Sequence, residues 1–209
     1  MVHGTGKKWL YLITDFSYGE EKIREALSVG VDFIQLREKD LSSAEYLRRA
    51  RLLVELAKSS GAKVIINDRV DIAMLSGADG VHLGQEDVPV ADARGLMGPE
   101  KLIGATAKTP EQAKRAQAEG ADYLGSGAWF PTQTKKDAVP ITEERYRQIM
   151  EAVTIPDVAV GGITVENCTG PIACGCDGLA VSGGIMQSEH IGETIRQFRR
   201  ILEGEERNR

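Results

Sequence analysis

The chain has 209 residues, of which 31 are acidic and 26 basic, giving a formal net charge of −5. This near balance argues against a nucleic-acid-binding protein, which usually carries a basic excess, and no apolar run approaches the roughly 20 residues of a membrane-spanning helix. The first residues contain a short apolar stretch without a small-residue cleavage site, so they predict no signal peptide, and the cytoplasm is the expected compartment.

Apolar runs that predict strands alternate with segments of helical spacing along the chain. The predicted strands of the first half are WLYLIT, DFIQLR, AKVIIN and GVHLG. The longest predicted helix, SSAEYLRRARLLVELAKSSG, lies between the second and third of them. Ser42 and Glu45 form a capping-box pattern at its start, and Gly61 suits its C-terminal end.

The second half keeps the same alternation, with predicted strands KLIGAT, ADYLGSG, PDVAVGG and CDGLAVSGG. Thr109, Pro110 and Gln112 are the start signals of the helix after the fifth strand. Strands that alternate with helices predict parallel pairing through crossovers, and eight such units predict a single (β/α)8 TIM barrel. An open doubly wound sheet is the alternative, but ITDFSYGE, which ends the first strand, lacks the Gly-rich dinucleotide turn.

No linker or low-complexity segment separates the units. We therefore expect one domain over residues 1–209, with mobile ends at 1–8 and 203–209. Cys168, Cys174 and Cys176 have a C-x5-C-x-C spacing that fits no zinc pattern. An odd number of cysteines in a chain without an export signal predicts free thiols.

Polar residues follow the predicted strands at the end where a TIM barrel places its functional side chains. Gln35, Arg37 and Lys39 alternate at the end of the second strand and therefore share one face. They point into the barrel or toward its mouth, unless they form a solvated strand end.

Two aspartates follow neighbouring strands: Asp68 comes after Asn67 on the third, and Asp87 comes after His82 and Gln85 on the fourth. Two carboxylates, completed by water and substrate phosphate oxygens, are a ligand set that suits Mg²⁺. A lone histidine at a strand end, such as His82, is more often a structural residue than a catalyst.

Hydroxyl, lysine and glycine residues follow the later strands. Thr106 and Lys108 come after the fifth, and the segment FPTQTKKDA after the sixth adds Thr132, Thr134 and Lys135. The seventh and eighth strands end in VGGI and VSGG, where backbone N–H groups can approach an anion and where barrels usually bind phosphate.

These residues predict two anion sites at one rim. A pyrophosphate site with Mg²⁺ would combine Arg37, Lys39, Asn67, Asp68 and Asp87, with Lys135 reaching it from across the mouth. A phosphate monoester site would combine Thr132, Thr134, Gly162 and Ser182.

The segments LYLITD, QLREKD, INDR, HLGQED, FPTQTKKDA and VGGI resemble, in order and spacing, those of the thiamine phosphate synthase family. The likeness runs from about Leu10 to Leu202. It implies a transferase that couples 4-amino-2-methyl-5-(diphosphooxymethyl)pyrimidine with thiazole phosphate, in a dissociative, magnesium-assisted substitution that forms thiamine phosphate and pyrophosphate.

The resemblance also implies a role for each site residue. Catalytic roles fall to Arg37, Lys39 and Lys135, and Mg²⁺ is held by Asp68 and Asp87. The pyrimidine diphosphate is contacted by Gln35, Arg37, Lys39, Asn67, Thr106 and Lys135. The thiazole phosphate is contacted by Thr132, Gln133, Thr134, Gly162, Val181 and Ser182.

This chain departs from the family pattern at two places. Thr106 and Lys108 stand where the family often has serine and histidine, and Ala128 stands where it often has proline. FPTQTKKDA is expected to form a lid over both substrates.

Three other functions are alternatives. A thiazole tautomerase, from a sister family with the same barrel, would use a histidine where Lys108 stands and would need no diphosphate site. A non-catalytic phosphate-ligand binding protein would bind without turnover. A sugar-phosphate isomerase-type barrel would explain the phosphate site but not the paired aspartates with Arg37 and Lys39. The partners expected are small molecules, and a homo-oligomer is left open.

Overall fold

The computed structural model describes residues 7–131 and 140–204. Eight parallel strands pair in chain order and close into one barrel, with the last strand pairing to the first. The strands are β1 (Trp9–Thr14), β2 (Phe33–Leu36), β3 (Lys63–Asn67), β4 (Gly80–Leu83), β5 (Leu102–Ala107), β6 (Tyr123–Gly127), β7 (Asp157–Val160) and β8 (Gly178–Val181). The predicted (β/α)8 TIM barrel is confirmed.

Helices follow every strand of the barrel. They are α1 (Glu20–Val29), α2 (Ser43–Ala57), α3 (Val70–Ser76), α4 (Val90–Met97), α5 (Pro110–Ala118), α6 (Glu143–Glu151), α7 (Thr169–Ala173), α8 (Gly183–Met186) and α9 (Ile191–Leu202). None of the described helices is long and apolar enough to cross a membrane.

The predicted helix starts at Ser42 and Thr109 are confirmed. The Ser42 hydroxyl accepts a hydrogen bond from the N–H of Glu45, and Thr109 accepts one from Gln112. Such caps satisfy N–H groups that have no partner within the helix. Helix α2 ends at Ala57, four residues before Gly61.

A repeated Gly-x-Asp pattern, which the sequence analysis did not use, ties neighbouring strands together at the N-terminal end of the barrel. Each glycine ends a helix with a positive φ (Gly30, Gly77, Gly120 and Gly175), a conformation that glycine adopts without strain. The aspartate two residues later precedes an even-numbered strand and accepts an N–H from the odd-numbered strand before it. The pairs are Asp32 with Leu10, Asp79 with Val64, Asp122 with Ile103, and Asp177 with Asp157, at 2.7 to 2.9 Å.

Two apolar cores follow from the alternation of side chains along the strands. The larger one lies between the strands and the helices. The smaller one fills the barrel interior with Tyr11, Phe33, Ile65, Tyr123, Val158 and Ala180. Because residues two apart share a face, Gln35 and Asn67 face the same interior as Phe33 and Ile65, one step nearer the mouth.

Asp157, at the start of β7, is a fully buried carboxyl group. It is bonded to the Ser126 hydroxyl and accepts a hydrogen bond from the Tyr146 hydroxyl at 2.7 Å. Burial raises its pKa to about 7 from the ordinary value of 3.8. Between these two values the folded protein retains a proton that the unfolded chain releases, so the stability from this group falls as pH rises through the interval.

In the Asp157→Asn variant, the free energy of unfolding should therefore fall less between pH 4 and pH 7 than in the unsubstituted protein. An asparagine amide mimics the protonated acid, since it can donate to Ser126 and accept from Tyr146, and it does not titrate. Above pH 7 the free energy of unfolding should rise by at most about 4 kcal/mol relative to the unsubstituted protein. Thermal unfolding from pH 4 to pH 8 tests this, and equal pH dependence in both proteins would contradict it.

The described residues contain no disulfide, as the cysteine pattern predicted. Cys168 and Cys176 are buried, and Cys174 is half-buried beside Arg147. Of the predicted mobile ends, residues 1–6 and 205–209 lie outside the described residues.

Candidate active site

Gln35 and Arg37, which are two residues apart in the sequence, both lie on the inner face of β2 and its extension. Gln35 is 3% exposed, and its Nε2 donates to the Tyr11 hydroxyl at 2.8 Å. β2 ends at Leu36, but the N–H of Arg37 still donates to Thr14 on β1. Glu38 points the other way, where its buried carboxylate accepts hydrogen bonds from Arg49 and from the N–H of Phe16.

Lys39, the third residue of the predicted alternation, lies beyond the strand and is exposed. The neighbouring loops are held by Tyr46 on α2, whose hydroxyl donates to the carbonyls of Leu36 and Asn67 at 2.9 and 3.1 Å. This anchor fixes the ends of β2 and β3, from which the predicted pyrophosphate contacts Arg37 and Asn67 project.

The two predicted metal ligands, Asp68 and Asp87, are neighbours at the mouth. Asp68 has a φ of 63°, and its N–H donates to the His82 carbonyl at 2.8 Å. Asp87 accepts a hydrogen bond from the N–H of Gly84 at 2.7 Å. Partial burial and then the adjacent Asp87 raise the pKa of Asp68 to about 6, while Arg37 opposes the rise.

Two like charges held together in this way fit a divalent cation, because a cation would relieve their repulsion. No cluster of three or more His, Cys, Asp or Glu side chains that could hold a metal occurs in the described ranges. A site with two protein carboxylates suits Mg²⁺, which keeps several waters and binds substrate phosphates.

A chain of polar contacts crosses the barrel interior below the mouth. The Tyr11 hydroxyl, bonded to Gln35, lies 2.9 Å from the Tyr123 hydroxyl. His82 contacts Tyr123 through Nδ1 at 3.4 Å and the Thr106 hydroxyl through Nε2 at 3.1 Å. Burial lowers the pKa of His82 to about 4, so its ring is neutral near pH 7.

Sequence reasoning missed Tyr11 and Tyr123, because a tyrosine within an apolar strand reads as core. Their positions in the alternation of side chains along each strand could have revealed them. Each faces the barrel interior, where a buried hydroxyl needs a hydrogen-bond partner. It also left the role of His82 undecided, and the structure gives both of its ring nitrogens a polar contact.

Thr106 lies at the end of β5, with its carbonyl bonded to Gln85 Nε2 at 2.5 Å. Gln85 is bonded in turn to Arg115 on α5. The backbone N–H of Lys108 donates to the side chain of Gln112 at 2.7 Å. Thr106 is thus held by backbone as well as side chain, and Lys108 lies at the start of the turn into α5.

On the opposite side of the mouth, Gly162 and Ser182 follow β7 and β8. A Cβ atom at Gly162 would lie 2.6 Å from the Pro131 carbonyl oxygen, so glycine permits a close approach of the chain after β6. Ser182 precedes the short helix α8, which the sequence did not predict. Val181 is buried in the outer core, which leaves its backbone as the part that can face a ligand at the mouth.

Four predicted contacts, Thr132, Gln133, Thr134 and Lys135, lie outside the described residues, as does most of the proposed lid FPTQTKKDA. Phe130 and Pro131 are described, and the N–H of Phe130 donates to the Gly161 carbonyl at 3.0 Å. The start of this segment is therefore fixed against the end of β7.

Known proteins of one family are similar to this chain over most of its length. Residues 10–185 match the family model described as thiamine monophosphate synthase. A thiamine-phosphate synthase of Methanobrevibacter smithii is 43% identical over 185 residues, which cover 87% of this chain and 88% of the relative. One from Moorella thermoacetica is 44% identical over 183 residues, covering 87% of each.

Solved structures agree. The thiamine phosphate pyrophosphorylase of Pyrococcus furiosus superposes with a TM-score of 0.87 at 39% identity, covering 95% of this chain and 97% of that one. A 3-hexulose-6-phosphate synthase shares the fold, with a TM-score of 0.70 at 16% identity. The chain therefore belongs to the thiamine monophosphate synthase family.

Proposed function

We propose that this enzyme, as a thiamine-phosphate synthase, joins 4-amino-2-methyl-5-(diphosphooxymethyl)pyrimidine to thiazole phosphate at the mouth of the barrel. The observation that carries the proposal is the grouping of Arg37, Asn67, Asp68 and Asp87 at the ends of three adjacent strands, with Ser182 and Gly162 across the mouth. One group suits a diphosphate with a divalent cation, and the other suits a phosphate monoester.

The diphosphate group would be bound beside β2 and β3. Arg37, Lys39 and Asn67 would contact its oxygens, and Lys135 would reach them from the lid. Asp68 and Asp87 would hold Mg²⁺. A bound magnesium ion would supply positive charge that offsets the charge of the departing pyrophosphate.

The thiazole phosphate would be bound beside β7 and β8. Ser182 would donate its hydroxyl, and Gly162 and the backbone of Val181 would allow close approach to the phosphate. Thr132, Gln133 and Thr134 would complete this pocket from the lid. Gln35 and Thr106 would contact the pyrimidine ring between the two anion sites.

The reaction would proceed by dissociative substitution. The bond between the methylene carbon and the diphosphate oxygen breaks, and the pyrimidine amino group helps to stabilise the resulting cation. The thiazole nitrogen then attacks the methylene carbon. The protein supplies charge neutralisation, orientation and exclusion of water that would quench the cation.

Ser182→Ala should raise the KM for thiazole phosphate and leave the KM for the pyrimidine diphosphate nearly unchanged. A hydrogen bond to a charged group is worth about 1.5 to 3 kcal/mol, which corresponds to roughly 10- to 150-fold in KM. Steady-state kinetics with each substrate varied in turn test this. Ser28→Ala, on the exposed face of α1, is the matched control. An effect confined to the pyrimidine substrate would mean that the two sites are exchanged.

Incubation with both substrates and magnesium, followed by mass spectrometry, tests the reaction itself. Thiamine phosphate should appear only when both substrates are present. A tautomerase would change the thiazole phosphate alone, and a binding protein would yield no product. Lys108, in place of the tautomerase histidine, favours the synthase.

We also propose one domain over residues 1–209 and a cytoplasmic location.

A further inference from the structure

An ion pair between Glu38 and Arg49 lies behind the predicted diphosphate site, on the side of β2 that faces α2. A guanidinium nitrogen of Arg49 donates to a carboxylate oxygen of Glu38 at 2.9 Å. Only 6% of the Glu38 side chain and 24% of the Arg49 side chain are exposed. In the sequence, Glu38 stands between Arg37 and Lys39, the two cations that would contact the diphosphate.

The pair ties three parts of the chain together. The same oxygen of Glu38 accepts the N–H of Phe16, in the short 3₁₀ turn after β1, at 3.1 Å. The Arg49 guanidinium lies 5.9 Å from the centre of the Phe16 ring, within the range of a cation–π contact. Arg49 also donates to Glu45, one turn before it on α2, at 2.9 Å. The segment after β2 is thus held against α2 and against the loop after β1.

The charge of Glu38 matters at this place. A carboxylate turned toward the mouth would repel a diphosphate and would pair with Arg37 or Lys39. Adjacent side chains in an extended segment point opposite ways, and Arg49 supplies the partner that a buried carboxylate needs on the outer side. Apolar residues of the same size would often stabilise a fold as well as a buried ion pair does. Stability alone therefore does not account for this pair.

We propose that Arg49 is a positioning residue for the diphosphate site. It holds the Glu38 carboxylate away from the mouth and so leaves Arg37 and Lys39 free to bind the diphosphate. Without Arg49, the carboxylate would turn to these two cations and compete with the diphosphate for them. This inference rests on the proposed function, and it assigns a role in that function to a helix residue outside the mouth.

Calorimetric binding of inorganic pyrophosphate in the presence of magnesium tests the inference without turnover. Arg49→Gln should weaken this binding by roughly 5- to 30-fold, a part of the value of one hydrogen bond to a charged group. Arg49→Met keeps the apolar stem and replaces Arg49→Gln if that variant does not fold; the same weakening is expected.

Arg48→Gln is the matched control and should leave the affinity unchanged. Arg48 is the next residue on α2, and its side chain is 64% exposed. Like Arg49 it binds Glu45, which is its carboxylate partner among the described residues. The two variants therefore remove the same charge from the same helix, but only one of them releases Glu38.

A double variant separates positioning from simple packing. Glu38→Gln removes the charge that would compete, while its amide oxygen can still accept the N–H of Phe16. Glu38→Gln combined with Arg49→Gln should therefore bind pyrophosphate more tightly than Arg49→Gln alone. A pair that only stabilises the loop predicts the opposite, with the double variant as weak as the single variant or weaker.

Turnover gives a second readout. Arg49→Gln should lower kcat/KM for the pyrimidine diphosphate by a similar factor and leave the KM for thiazole phosphate unchanged, since that phosphate would be bound across the mouth. Equal pyrophosphate affinity in Arg49→Gln and Arg48→Gln, or no recovery in the double variant, would overturn the inference. A protein that binds pyrophosphate but forms no thiamine phosphate would refute the proposed function, while the recovery in the double variant would still decide the role of Arg49.

Discussion

Asp68→Asn and Asp87→Asn should each lower kcat/KM by roughly 30- to 1000-fold, or about 2 to 4 kcal/mol of barrier. An amide is a poor ligand for a hard cation, so half-saturation should require more magnesium in both variants. The backbone contact of Asp87 can survive, since an asparagine oxygen can still accept from the N–H of Gly84.

Although Asp68→Asn should lower activity, it should not lower the stability of the metal-free protein. Partial burial, and then the adjacent carboxylate of Asp87, disfavour the charged form of Asp68 and raise its pKa. Asp68→Asn should therefore leave the melting temperature unchanged or higher in metal-free buffer above pH 6. Asp92→Asn, on the exposed first turn of α4, is the control for loss of a surface carboxylate. Wild-type turnover and magnesium titration in both site variants would rule out the metal site.

Arg37→Gln should lower kcat by roughly 10- to 150-fold, since it removes a charged hydrogen-bond donor worth about 1.5 to 3 kcal/mol to the leaving pyrophosphate. Arg37→Lys should recover part of the loss, because it restores the charge but not the planar fork that binds two oxygens. Steady-state and single-turnover rates with saturating substrates measure the effect.

The position of Arg37 makes this a specific expectation. It faces the interior beside Gln35 and opposes the pKa rise of Asp68, which follows the adjacent strand β3. Arg24→Gln is the matched control, because Arg24 forms an exposed ion pair with Glu20 on α1. Equal kcat values for Arg37→Gln and Arg24→Gln would show that Arg37 has no part in the reaction.

The order of strands and helices was predictable because apolar runs and turn residues alternate without interruption. Helices α7 and α8 were harder to predict, for reasons that lie in their own sequences. Helix α8 was missed because Gly183 and Gly184 have low helix propensity; its N–H groups at Ile185 and Met186 donate to the Ser182 carbonyl. Helix α7 is short, and Gly170 and Pro171 lie within it.

The candidate site was predictable where strand period and barrel geometry act together, as at Gln35, Arg37, Asn67 and Thr106. Contacts that depend on depth inside the barrel were not predictable. The chain of polar contacts across the barrel interior needs the register of β4, β5 and β6, which brings His82, Gly104 and Tyr123 into line. The turn at Asp68, with its positive φ, also depends on the folded loop.

The most direct test of the central claim is ³¹P NMR of the purified protein with both substrates and magnesium. The two diphosphate signals of the pyrimidine substrate should be replaced by one pyrophosphate signal. One equivalent of thiamine phosphate should form for each equivalent of pyrophosphate released. Pyrophosphate release without coupled product, or no change in the diphosphate signals, would contradict the account.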